Sequence, residues 1–190
     1  MSSEVAPPFV AGNLALDFIN TLFGTGADQH ECLEEDASVV EWLCQAGVLT
    51  EAVTPPPAGL LQRSRALREE MRRLVISAKD GRAADPDLVN EVLERGHPVE
   101  RLEWEPEKAA FSKKEERRDL SAESLLQPVV QALVKLLTEE NLPLVKECEA
   151  CDCVLLFHDQ TKSHRRRWCS MASCGNRAKA LAYRAKRKAK

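Results

Sequence analysis

Five of the seven cysteines, Cys148, Cys151, Cys153, Cys169 and Cys174, stand within 27 residues, and this cluster constrains the chain more than any other feature. The pair Cys148-x4-Cys153 is followed, after 15 residues, by a second pair, Cys169-x4-Cys174. Two short pairs separated by a hairpin-length spacer supply the corners of a tetrahedron, the geometry of structural zinc with thiolate ligands. Cys148-x2-Cys151 is the more familiar knuckle spacing and keeps Cys151 as an alternative. The symmetry with Cys169-x4-Cys174 favours Cys153. The expected cofactor is one structural zinc ion held by Cys148, Cys153, Cys169 and Cys174. Four thiolates close the site, which argues against catalytic zinc. A segment this short cannot fold by burial alone, and structural zinc contributes about 10–16 kcal/mol of apparent folding energy. His158 and His164 read as solvated residues, and Cys32 and Cys44 as core thiols. An odd cysteine count and a start without a basic, apolar leader suit a reducing cytoplasm.

Around the cysteines the pattern is knuckle, hairpin, helix. Val154–Phe157 is strand-like, a polar connection follows, and Arg165–Trp168 is expected to return as the second strand. Strand alternation then puts Arg165 and Arg167 on one face and Arg166 with Trp168 on the other. From Met171 the alanine-rich sequence should be helical. On a helical wheel Met171, Cys174, Ala178, Leu181, Ala182, Ala185 and Ala189 form one apolar stripe, expected to face the metal core. The opposite arc carries Asn176, Arg177, Lys179, Tyr183, Arg184 and Arg187.

Charge divides the chain at the same place. Residues 1–145 carry 15 Lys+Arg against 26 Asp+Glu, whereas residues 146–190 carry 12 against 4, with no acid after Asp159. The overall net charge of −3 therefore describes neither part. Even after four thiolates and Zn²⁺ are counted, the module keeps about six positive charges, a polyanion-seeking surface. Its expected nucleic-acid contacts are Arg165, Arg166, Arg167, Asn176, Arg177, Lys179, Tyr183, Arg184 and Arg187, with cations for phosphates and Asn176 and Arg187 for base edges. Duplex DNA is the expected partner. RNA on the same surface, or an acidic protein docked on the basic helix, are the alternatives.

The acidic part reads as mostly helical. Periodicity predicts helices over about 58–79, 85–95 and 121–139, and one within 31–47 opened by a Ser38–Glu41 capping box. Leu14–Phe23 is a short apolar stretch in which Asp17, Asn20 and Thr21 are candidate lining residues of an effector pocket. Val99–Trp104 alternates and is expected to pair with residues near 109–111 as a small hairpin. The expected organisation is a mainly α chain: a helical domain over 1–140, a linker over 141–147, and a treble-clef-like zinc module over 148–190. No nucleophile elbow, phosphate loop or HExxH is present, so the expectation is a non-enzyme, soluble and without a membrane span. A single small finger binds weakly alone, which favours a homodimer.

Trp168-Cys-Ser-Met-Ala-Ser-Cys-Gly-Asn-Arg177, preceded by Cys153-x3-Phe157 and Arg165-Arg-Arg167, resembles the CGNR zinc finger of bacterial proteins. Leu16-Asp-Phe-Ile-Asn-Thr21, Trp42-Leu43 with Ala46-Gly47, and Leu67-Arg-Glu are similar to the ABATE domain that accompanies it. Together the two cover nearly the whole chain. The resemblance implies a stress-linked transcription regulator with a largely helical N-terminal domain. It also supports Cys153 over Cys151, because the ligand cysteine of that pattern stands four residues before the Phe.

Overall fold

Asn13 starts the first helix: its side-chain oxygen accepts from the backbone N–H of Ala15 and of Leu16, at 2.9 and 3.3 Å, closing orphan donors of the first turn. The helix, α1 (Leu14–Ile19), is short but central, packing against three other elements of the fold. A computed structural model describes residues 9–24, 29–150 and 153–188. Cys151 and Ala189, named above, lie outside these.

After α1 come two short antiparallel strands, β1 (Leu22–Phe23) and β2 (His30–Glu31), then α2 (Asp36–Gln45), α3 (Leu60–Lys79) and α4 (Asp87–Arg95). The hairpin β3 (Val99–Glu105) and β4 (Ala110–Glu116) precedes α5 (Ala122–Thr138). α1, α3 and α5 pack on one another, and α4 lies against α3 and α5. Leu60, Leu67, Met71, Leu74 and Val75 give α3 one buried stripe, and Leu125, Leu126, Val129, Val130, Leu133 and Leu136 give α5 another. Asp36, first residue of α2, accepts from Leu61 N at 2.6 Å and so caps α3 from outside. Gly96 permits α4 to end against α5, since a Cβ there would lie 2.4 Å from the Glu123 carbonyl oxygen.

Four expectations shift here. The capping residues of α2 are Glu35 and Ser38, not Ser38 and Glu41, so the helix begins at Asp36 and Glu31 belongs to β2. The hairpin extends to Glu116, well past the apolar residues that signalled it. The stretch expected to be linker is ordered: Leu142–Leu144 forms a 3₁₀ turn, and Val145–Glu147 is a strand, β5. β5 pairs antiparallel with β6 (Leu156–His158), Val145 opposite His158. Arg165–Trp168 is not a strand, because β6 has β5 on one edge and Ala11 and Asn20 of the body on the other, and the connection is folded around Asp159. The chain then passes through a π-helical turn, Met171–Gly175, into α6 (Asn176–Lys188). No helix among the described residues is long and apolar enough to cross a membrane.

Candidate metal centre and its seam with the helical body

Cys148 follows β5, Cys153 precedes β6, Cys169 stands before the π-helical turn and Cys174 within it. Their four Sγ atoms lie within 4.8 Å of one another. Zinc–thiolate bonds of about 2.3 Å put tetrahedral sulfurs about 3.8 Å apart. Cys153 Sγ and Cys169 Sγ are 3.8 Å apart and Cys169 Sγ and Cys174 Sγ 3.5 Å, so the donor set fits the ion. The chemistry of the thiols agrees. A hydrogen bond from Cys169, with burial acting against it, pulls the Cys153 thiol down to about 5. Burial pushes Cys148 up, and Cys169 is pushed up first by its bond to Cys153 and then by burial. Thiols this crowded can all ionise only around a cation. Cys169 N donates to Cys148 Sγ at 3.3 Å, and Arg177 Nη2 donates to Cys174 Sγ at 3.1 Å. These donors orient the sulfurs and offset the charge of a four-thiolate site. The zinc ion held here is structural: it joins the knuckle, β6 and the start of α6.

Asp159, which belongs to no motif visible in the sequence, organises the connection. Its side chain is fully buried and accepts from Lys146 Nζ (2.7 Å), Thr161 Oγ1 (2.7 Å), Thr161 N (3.1 Å) and Arg166 N (2.9 Å). Burial alone would raise its carboxyl, but Lys146 and these donors hold it far below the usual carboxylate range. His158, expected in solvent, is buried in β6, while His164 is exposed.

The module is fastened to the body through backbone groups. Asn20, fully buried, donates from Nδ2 to the Leu156 carbonyl (2.8 Å) and accepts from Leu156 N at Oδ1 (3.0 Å). His158 N donates to Ala11 O at 2.8 Å, and Arg72 donates to Val154 O at 3.0 Å. Asp17 Oδ1 accepts from Ala11 N at 2.9 Å; burial pushes its carboxyl up to about 6 despite that bond. Thr21 Oγ1 donates to Phe18 O and accepts from Arg68, which also holds Glu31 through two contacts of 2.7 Å. Burial opposes ionisation of Glu31, but the Arg68 guanidinium more than offsets it and keeps the carboxyl below its ordinary value. Asp17, Asn20 and Thr21 are hydrogen-bonded to protein groups, and none of them lines the surface concavity beside Pro57–Arg63 or the one beside Leu22 and Arg72.

The expected nucleic-acid residues divide. Arg166 does not face solvent: it donates to the carbonyls of Trp168 (3.0 Å), Val10 (2.7 Å) and Cys169, and its guanidinium lies 4.3 Å from the Phe157 ring centre. It is a strut between body and metal centre. Arg167 is exposed, pairs with Glu149 at 2.6 Å and covers the half-buried Trp168. Arg165, Asn176, Arg177, Lys179, Tyr183, Arg184 and Arg187 are exposed. Asn176 Nδ2 donates to Ala172 O at 3.2 Å. The apolar stripe of α6 does not face the core. Beyond Cys174 its members leave the metal centre, with Met171 and Leu181 about half exposed, so α6 projects.

Residues 12–140 match the ABATE family, described as "Putative stress-induced transcription regulator", and residues 145–187 match the CGNR zinc finger. The second match starts where β5 starts. No curated protein matches the chain at a significant level. The chain belongs to the ABATE family and carries a CGNR zinc finger after its helical body.

Proposed function

We propose that this protein regulates transcription by binding duplex DNA through α6 and the loop before the zinc site. The observation that carries the reading is the projection of α6. This helix holds six Lys and Arg residues and no acid, and its Lys179, Arg184 and Arg187 are exposed. The zinc ion and Arg166 fix the base of the helix, so its cations arrive at the phosphates in a set arrangement. Arg165 extends the contact from the loop. Arg187 and the amide of Asn176 are the groups of the right chemistry to meet base edges. The body, carrying an excess of acids, is repelled by the duplex and leaves α6 as the element that approaches it.

The test is fluorescence anisotropy of the zinc-loaded full chain with a labelled duplex across a salt series. About four to five phosphate contacts give a slope of log K against log salt near −4, and the double variant K179A/R184A reduces the magnitude of that slope by about two. A flat salt response, or an unchanged slope in the double variant, overturns the reading. Preferential displacement by structured RNA transfers the surface to RNA.

A further inference from the structure

The β3–β4 hairpin stands apart from the rest of the fold. It forms a sheet of two strands, its close packing is between its own strands, and its apolar side chains face solvent: Leu102 is 71% exposed, Phe111 64% and Trp104 51%. Trp104 and Phe111 meet edge to face at 5.1 Å, and Leu102 is one residue pair further along that face. An isolated two-stranded ribbon is at best marginally stable in water, and a bare edge strand is a template for another strand. We propose that β3 is a self-association edge: it pairs antiparallel with β3 of a second copy across a two-fold axis at Leu102, giving a four-stranded sheet.

The register is written in the charges of β3. A two-fold perpendicular to the sheet sets residue i opposite residue j of the second copy when both lie on the same face. Centred on Leu102, all seven residues pair, and Arg101 faces Glu103 of the second copy twice over. Opposite charges directly across a sheet are favourable, and like charges are not. A slip of one residue pair brings Arg101 against its own copy; the opposite slip brings Glu103 against its own copy. The centred register therefore aligns all seven residues with two Arg101–Glu103 contacts and no like pair, setting Glu100 opposite Trp104 and Val99 opposite Glu105. Each flanking register aligns only five residues and puts a like pair at its axis, although the one centred on Glu103 also sets Arg101 opposite Glu105. β4 lacks this property, because its full-length register sets Lys113 on Lys113 of the second copy. Within each hairpin Arg101 reaches diagonally to Glu116 at 2.8 Å and Glu103 diagonally to Lys114 at 2.5 Å, so the new contacts add a partner to each of these two charges. On the other face the two Leu102 side chains meet at the axis with Trp104 of each copy diagonal to them, covering the apolar surface that one hairpin leaves in water.

The interaction is independent of the DNA reading, and its test involves no nucleic acid. Sedimentation equilibrium of the zinc-loaded chain should give a concentration-dependent dimer. Arg101→Glu sets Glu against Glu twice, and Glu103→Arg sets Arg against Arg twice. Each variant alone should dissociate at least about tenfold more readily than the wild type. Mixed one to one, they should recover dimers as heterodimers, because both pairings become opposite in charge; a variant that had merely damaged its hairpin would not be rescued. Leu102→Lys, at an exposed position, should leave the helical circular dichroism and zinc content unchanged and abolish the dimer. A monomeric wild type, single variants that dimerise like it, or a mixture that stays monomeric overturns the proposal.

Discussion

Replacing Asn20 by Ala tests whether the zinc module is a separate bead or part of the body's cooperative unit. The amide satisfies both backbone groups of Leu156, at 2.8 and 3.0 Å, in a site closed to water. Each orphaned buried group costs about 1–3 kcal/mol, and the missing amide leaves a small void. The loss should be about 3–5 kcal/mol, a large part of the roughly 5–15 kcal/mol that holds a typical native state. For a chain of this size, that lowers the thermal midpoint by about 8–15 °C. The assay is circular-dichroism melting of the zinc-loaded chain with zinc release followed in parallel by a chromogenic chelator. Both transitions should shift together, because Leu156 lies in β6 between body and metal centre. Asn20→Asp should be at least as damaging at neutral pH, since an oxygen then faces the Leu156 carbonyl. Acidification should relieve it partly, when the protonated carboxyl can donate. A loss below about 1 kcal/mol for Asn20→Ala, or a zinc-release transition left in place, would refute the coupling.

Two further substitutions probe the same seam. Arg166→Lys keeps the charge but loses the fork that reaches three carbonyls, so stability should fall by about 2–3 kcal/mol by denaturant titration. Asp17 keeps its proton up to about pH 6 in the folded chain, against 3.8 ordinarily. The folded state thus binds more protons than the unfolded one in that interval, so ionising Asp17 lowers stability as pH rises from about 4 to 6. Asp159 and Glu31, held low, act in the opposite sense. The quantity to measure is therefore the wild-type stability minus that of Asp17→Asn, which should decline over that interval. A difference constant with pH would contradict it.

What the sequence revealed depended on how local the cause was. The four cysteines were legible because two four-residue gaps and a hairpin-length spacer are local geometry. The helices α3 and α5 were legible because their apolar residues repeat at helical spacing. Beyond that range the signal thins. Val145-Lys-Glu147 carries no strand pattern of its own; it becomes β5 because β6 lies beside it. Lys113-Lys-Glu-Glu116 is too polar to announce a strand, and pairing with β3 makes it one. Asp17 and Asn20 stood out as polar residues within an apolar stretch, but nothing nearby in sequence distinguishes a ligand from the backbone groups that are their partners, Ala11 for Asp17 and, 136 positions away, Leu156 for Asn20. Arg166 was misplaced because alternation assumes a strand, and its segment is a loop. For α6 the wheel identified an apolar stripe correctly, but periodicity gives a face without saying what meets it.

The distance from Asn20 to Leu156 also orders events during synthesis. α1 emerges from the ribosome early, yet its buried amide has no partner until 136 more residues have been added. At ordinary translation rates of about 5–20 residues per second, that is roughly 7–27 s. Over that time the helical body holds an open polar seam at its centre, and closure waits for β6, the segment immediately after Cys153. β6, made late, therefore closes the seam of α1, the helix that emerges first among those described.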